Sequence, residues 1–329
     1  MLNISEEKYD KLVALSNENS VISALAIDQR GSLKKMLGSE DDSTIEEFKK
    51  MISKNLTPFS SSILLDPEYG LPATEVRDKN AGLILAYEET GYDASSEERY
   101  PDLLDNWSAL RIKEAGADAV KILLYYDIDA SKEINDIKHA FVERVGSECD
   151  AENIPYFLEI LTYDTKIQDV KSREYAEVKP HKVNSAMELF SDPRYKVDVL
   201  KVEVPVNMNY VEGYGNDDEI LYSKEEAKRL FKEQSEKTHL PFIFLSAGVS
   251  AQLFQETIKL AGESESTFNG VLCGRATWKE STDIFAAETD SEYTETNTWL
   301  QTTGKNNIEE LNQVLNQHAV SWKDKVLVK

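Results

Sequence analysis

Short apolar runs recur along the whole chain, separated by longer stretches with helical spacing. Eight runs stand out: Val21–Asp28, Ser61–Asp66, Gly82–Glu88, Ala117–Tyr126, Pro155–Leu161, Val197–Val204, Pro241–Ser246 and Phe268–Gly274. Each is rich in Val, Ile, Leu, Phe or Tyr and short enough for a buried strand. Between them the apolar positions fall at helical spacing. Ser43-Thr44-Ile45-Glu46 and Ser223-Lys224-Glu225-Glu226 are capping-box sequences that open such stretches, and the pattern around Leu110-Arg111-Ile112 predicts a helix ending near Gly116.

Strand, helix, strand, repeated without a cluster of hairpin signals, predicts parallel strands joined by crossover helices. Eight units fit a closed (β/α)8 TIM barrel, an α/β fold. The competing fold, an open doubly wound sheet, is ranked lower because no G-x-G-x-x-G follows the first strand. The stretches Gly38–Ser43 and Gly213–Glu219 are too short for linkers, so residues 1–329 read as one domain. Length beyond a ~250-residue barrel falls in a helical insertion, Thr162–Tyr195, in the loop after the sixth strand, and in a helical tail, Trp278–Lys329.

The 329 residues are 41% hydrophobic and 29% charged, a globular composition. The formal net charge of -23 repels nucleic acid and anionic lipid, so neither is an expected partner. An anionic substrate would need basic groups gathered locally against that field. No apolar run approaches the ~18 residues of a membrane span. The acidic, amphipathic start, MLNISEEKYDKLV, does not read as a signal peptide. Only Cys149 and Cys273 are present, far apart in sequence, which predicts a cytoplasmic protein without a disulfide framework.

Three ionisable residues interrupt consecutive apolar runs: Lys121 the fourth, Glu159 the fifth, Lys201 the sixth. Neighbouring strands of a closed barrel bring inward side chains within reach of one another. A buried charge costs several kcal/mol unless paired. A structural ion pair is the plain alternative for any one of the three; together they favour a connected Lys–Glu–Lys cluster. A lysine whose pKa is brought down is a nucleophilic amine. Burial and a second lysine push in that direction and the glutamate opposes them, so the sequence leaves the direction open. Glu203, two residues after Lys201, is expected on the same side, sharing the pairing.

The seventh run ends in Ser246-Ala247-Gly248-Val249-Ser250 and the eighth in Gly274-Arg275-Ala276-Thr277. Loops after strands seven and eight of such barrels often hold phosphate through backbone N–H groups and a helix N-terminus. Gly248 and Gly274 would let the backbone approach, and Arg275 would supply local charge. At the first strand's end Asp28 is placed to orient a lysine or a substrate hydroxyl, while Arg30, Ser32, Lys34 and Lys35 are candidates for a second anion, with a solvated helix start as the alternative for the two lysines. Asp66-Pro67-Glu68-Tyr69-Gly70 and Glu88-Glu89-Thr90-Gly91-Tyr92 are expected only as site walls. His139, His181, His239 and His318 fall at no strand end and show no ligand spacing, so no metal is expected.

Taken jointly, ALAIDQRGSLKK, ILLDPEYGLPA, LAYEETGYD, AVKILLYYD, VLKVEVPV, LSAGVS and VLCGRATW resemble the class I tagatose 1,6-bisphosphate aldolases of the lactose and galactose pathway in Gram-positive bacteria. The resemblance runs from about Leu25 to Trp278. It implies Schiff-base chemistry with no cofactor and no metal, a sugar bisphosphate substrate and a homo-oligomer. It makes Lys201 the imine-forming lysine, Glu159 the acid–base group, Lys121 the neighbouring cation, and Asp28 a helper at the reacting carbons. Ser246, Gly248, Gly274 and Arg275 would hold the phosphate nearest the ketone. Arg30 and Ser32 are candidates for the far phosphate by position alone. Two alternatives stay open at this point: a sister aldolase for a sulfonated sugar phosphate, and a barrel kept as a metabolite sensor.

Overall fold

The computed structural model describes residues 1–89 and 98–329. Eight parallel strands close into a barrel: β1 Ile22–Ala26, β2 Ser62–Leu65, β3 Gly82–Ala86, β4 Ala119–Tyr126, β5 Tyr156–Thr162, β6 Val199–Val202, β7 Phe242–Leu245 and β8 Gly270–Cys273. β1 closes the ring on β8, with Ala24 opposite Leu272. Seven lie inside the expected runs and β5 runs one residue past its own, to Thr162; the chain is a TIM-barrel-like α/β fold.

Apolar side chains occupy most positions on both faces of the lower half of the barrel. Outward residues such as Leu25, Ile63, Leu85, Ile122, Leu158 and Leu200 pack in the core under the surrounding helices. Inward residues Ile22, Ala24, Ile84, Ala119, Phe157, Val199 and Ile243 fill the barrel interior. Two residues further along, the inward positions of β4, β5 and β6 are Lys121, Glu159 and Lys201. The alternation of period two thus lifts the ionisable groups above an apolar floor.

The tail departs from the expected all-helical form. It contains helices Ser281–Ala287, Thr294–Trp299 and Lys305–His318, then ends in a strand, Val326–Val328. That strand pairs in parallel with Leu2–Ile4 under the barrel. Trp322 belongs to the same apolar cluster as the interior residues. It donates to Ser16 Oγ at 2.7 Å and meets Tyr9 edge-on. The apolar run Val326-Leu327-Val328, with two β-branched valines, carried the strand signal, but its partner lies at the other end of the chain.

The helices follow their caps. Ser223 and Glu226 form the expected capping box on Lys224–Glu236. Helix Asp42–Leu56 starts earlier than its Ser43 motif predicts. Asp41 is its cap, and its carboxylate accepts from the Ser43 N–H at 3.1 Å. An anionic acceptor also suits the positive end of the helix dipole, so Asp41 prevails over the hydroxyl. Helix Ala109–Glu114 ends close to Gly116, and the insertion after β5 is built on helix Arg173–Phe190.

Candidate active site

A cavity of about 400 Å³ opens at the C-terminal ends of the strands. Its lining includes Asp28, Arg30, Ser32, Glu88, Glu159, Lys201, Ser246, Gly248, Gly274 and Arg275. The structure therefore gathers the phosphate candidates of the strand ends and all but Lys121 of the catalytic candidates around one space.

The two lysines have different surroundings. Lys121 is fully buried and does not line the cavity. Its Nζ lies 2.9 Å from Asp28, 2.6 Å from Glu88 and 2.8 Å from Glu159. Lys201 is 4% exposed and lies in the cavity wall. Its ion pair is with Glu159 Oε2, at 2.7 Å. Register explains the contact: Glu159 and Lys201 are direct cross-strand partners. Glu159 faces Leu123 on its other side, one inward step above Lys121.

The electrostatics follow. Burial works against the charge on Lys121, but Asp28, Glu159 and Glu88 outweigh it and hold its pKa well above the ordinary ammonium value. Burial likewise opposes ionisation of Asp28 and Glu159, yet Lys121 and Lys201 prevail and hold both carboxyls below the usual range. Glu88 goes the other way. Burial raises it, Lys121 and Arg30 pull it down, and the like charge of Asp28 adds to the rise. Lys121 is thus a fixed cation, and the amine that meets a ligand is on Lys201.

At the opposite wall Ala247 and Gly248 both take left-handed backbone, with φ of 49° and 76°. A Cβ on Gly248 would lie 3.1 Å from the Arg275 guanidinium carbon. One on Gly274 would lie 3.1 Å from the Ala26 carbonyl. Both glycines therefore leave room where loop, arginine and strand converge. Arg275 is exposed at this rim, beside buried Ser246.

Several expectations need correction. Glu203 does not join the lysine cluster, because β6 leaves the sheet after Val202 and the alternation ends there. Its carboxylate faces Lys179 at 3.1 Å and accepts from the N–H and hydroxyl of Thr162. Arg30 reaches the cavity wall but is buried; it pairs with Glu68 and donates to the Glu88 carbonyl at 2.7 Å. Two of its guanidinium nitrogens are engaged in this way, and among the described residues the buried Nε has no hydrogen-bond partner. Lys34 turns to Asp42 at 2.8 Å and lies over Tyr69. Asp66 is no wall: it forms a fully buried pair with Lys49 and caps the turn at Glu68 and Tyr69. Glu88 is more than a wall, being a third carboxylate on Lys121. Continuing the inward positions Ile84 and Ala86 by two would have found it. Thr90, Gly91 and Tyr92 lie outside the described residues.

The histidines stand away from this cavity, on helices or, for His239, ahead of β7. Among the described residues no group of three or more His, Cys, Asp or Glu is arranged to hold a metal ion. No described helix is long and apolar enough to cross a membrane.

A family profile described as "DeoC/LacD family aldolase" matches residues 22–280, β1 to just past β8. The chain belongs to the DeoC/LacD aldolase family. This aldolase is 58% identical over 328 residues to tagatose 1,6-diphosphate aldolase 2 of Streptococcus agalactiae, covering 98% of this chain and 99% of that one. It is 58% identical to tagatose 1,6-diphosphate aldolase 2 of Enterococcus faecalis, covering 100% and 99%. Tagatose 1,6-diphosphate aldolase of Lactococcus lactis is also 58% identical, with coverage of 98% and 99%. Among solved structures, fructose-bisphosphate aldolase from Plasmodium falciparum aligns with a TM-score of 0.67 at 18% identity, over 93% of this chain and 94% of that one. At that identity the likeness speaks for the fold alone.

Proposed function

We propose that this aldolase cleaves D-tagatose 1,6-bisphosphate reversibly to dihydroxyacetone phosphate and D-glyceraldehyde 3-phosphate, in lactose and galactose catabolism, through an imine on Lys201. The observation that carries the reading is the inequality of the two lysines: among the described residues Lys121 is locked by three carboxylates, while Lys201 faces the cavity with one. Relatives of 58% identity over nearly the full length, each named a tagatose 1,6-diphosphate aldolase, support the substrate.

The Lys201 amine attacks the ketone carbon. Glu159, 2.7 Å from that nitrogen, moves protons as carbinolamine becomes iminium. The iminium is an electron sink, so the adjacent C–C bond breaks once a base takes the hydroxyl proton; Asp28, beside Lys121 at the cavity, is our candidate. Glyceraldehyde 3-phosphate leaves, and the enamine is reprotonated and hydrolysed. Ser246, Gly248, Gly274 and Arg275 hold the phosphate nearest the ketone, and Arg30 and Ser32, both in the cavity lining, are our candidates for the far one. Fixing both ends supplies the proximity contribution. The scheme needs no cofactor. The reading also makes the protein cytoplasmic, in keeping with two buried, free cysteines, and, on the family resemblance alone, a homo-oligomer.

Trapping tests it. The protein is incubated with dihydroxyacetone phosphate, reduced with borohydride, digested and mapped by mass spectrometry. An adduct on Lys201 is expected. An adduct on Lys121 would reverse the lysine roles, and no adduct in folded protein would end the imine reading.

A further inference from the structure

Two cations, Lys121 and Lys201, face three carboxylates, Asp28, Glu88 and Glu159, in one buried cluster. Attack on a ketone needs Lys201 as a neutral amine. Its proton must leave, and the cluster is then short of positive charge until the iminium forms. A continuous line of contacts leads away from Lys201: 2.7 Å to Glu159 Oε2, 2.8 Å on to Lys121 Nζ, and 2.6 Å from there to Glu88 Oε1.

We propose that Glu88 is the proton store of this site, taking up the Lys201 proton through Glu159 and Lys121 and returning it when the carbinolamine loses water. The proposal rests on Lys201 being the imine-forming residue. A Lys201 N–H bond breaks as its proton passes to Glu159. Glu159 hands that proton to Lys121, which in the same event gives one of its own to Glu88. Lys121 stays an ammonium throughout, and the net change is a neutral Lys201 amine and a neutral Glu88 carboxyl. On dehydration the proton returns by the same line to the departing hydroxyl, which leaves as water. The iminium then carries the charge that Lys201 held at the start.

Geometry selects Glu88 over the other two acids. Glu159 touches both lysines. Asp28 touches Lys121 and feels Lys201 and Lys49 as well. Glu88, 3% exposed on the far side of Lys121 from Lys201, has that one ammonium in contact. Among the described residues, the charged groups facing it are Lys121 from β4 and Asp28 and Arg30 from the end of β1. Glu159 lies beyond Lys121, and Glu68 lies beyond Arg30. Burial and Asp28 raise its carboxyl, so a proton there is tolerated. Its second oxygen accepts from the Leu123 N–H at 3.2 Å, which fixes its orientation without competing for the proton.

The test compares wild type with Glu88→Gln and Glu88→Asp, full length, in rapid-mixing imine formation with dihydroxyacetone phosphate quenched by borohydride across the neutral pH range. The glutamine keeps size and an acceptor for Lys121 but cannot hold the proton. Its imine-forming rate at neutral pH is expected to fall by ~10²-fold or more, and its pH–rate profile to move to higher pH, because Lys201 must then lose its proton to solvent. Glu88→Asp keeps a carboxyl and should recover part of the shift; it carries the test alone if the glutamine variant does not fold. A lowered rate with an unmoved pH profile in the folded variants would make Glu88 merely structural and overturn the proposal. Absence of any wild-type adduct would overturn the Lys201 reading itself, a distinguishable failure.

Discussion

Glu159 and Lys201 sit directly opposite one another on β5 and β6, and their charged atoms are 2.7 Å apart. The same Glu159 oxygen is 2.8 Å from Lys121. One carboxylate thus joins a lysine that is locked to a lysine that is available. A proton on Glu159 changes the field at both amines at once, which is the coupling an imine-forming site needs.

Glu159→Gln should remove that coupling and leave the packing nearly intact. The expected loss in turnover is ~10²–10⁴-fold, the usual weight of a positioned acid–base group. Steady-state cleavage kinetics with a thermal melt of the same sample check it. A variant retaining near wild-type turnover would exclude Glu159 from the proton transfers.

Lys121→Met should act first on stability. It strips the shared cation from Asp28, Glu88 and Glu159, and leaving buried charges unpartnered costs ~3–5 kcal/mol. The carboxyl pKa values then rise, so the folded state binds more protons than the unfolded chain above the ordinary carboxylate range. The variant's stability should therefore fall as pH increases toward neutrality. Urea melts at acid and neutral pH measure this. In wild type Asp28 and Glu159, held below their ordinary values, contribute stability above the carboxylate range that is lost as pH falls through their folded values, while Glu88, already raised, contributes with the opposite sign.

Much of this was legible because strand alternation is rigid. Lys121, Glu159 and Lys201 interrupt apolar runs, and period two plus barrel closure brings them inward on neighbouring strands. The glycines and Arg275 were legible from their place after strands seven and eight. Legibility failed where the regular backbone stopped. Glu203 lies one residue past the end of β6, so its direction no longer follows from Lys201. Arg30 and Asp66 found partners, Glu68 and Lys49, that lie 38 and 17 residues away. Such pairings depend on how loops and helices settle on the barrel, which no local pattern encodes.

Arg275→Met should weaken phosphate capture without touching the amine. Hydrogen bonds to charged groups are worth ~1.5–3 kcal/mol, so KM is expected to rise roughly 10- to 100-fold with a smaller change in kcat. Arg275→Lys should recover little, since one ammonium cannot replace a fork of donors. Gly248→Ala should produce a similar KM defect by a different route. Its backbone is left-handed, costing ~1–2 kcal/mol for a side chain, and its Cβ would press on the Arg275 guanidinium.

Trp322→Ala separates the floor of the barrel from its mouth. Trp322 is fully buried, packs with Ile22, Phe157 and Val199 in the interior cluster, and anchors the tail through Ser16. Removing a buried tryptophan costs ~3–5 kcal/mol, so a clear drop in Tm is expected. The reacting groups lie an inward layer higher, above the apolar residues of the lower strands. At a temperature where the variant is folded, kcat and KM should stay close to wild type. A selective loss of turnover in folded protein would mean that the tail sets the height of Lys201 and Glu159 in the barrel, and that the apolar layer between them transmits its position.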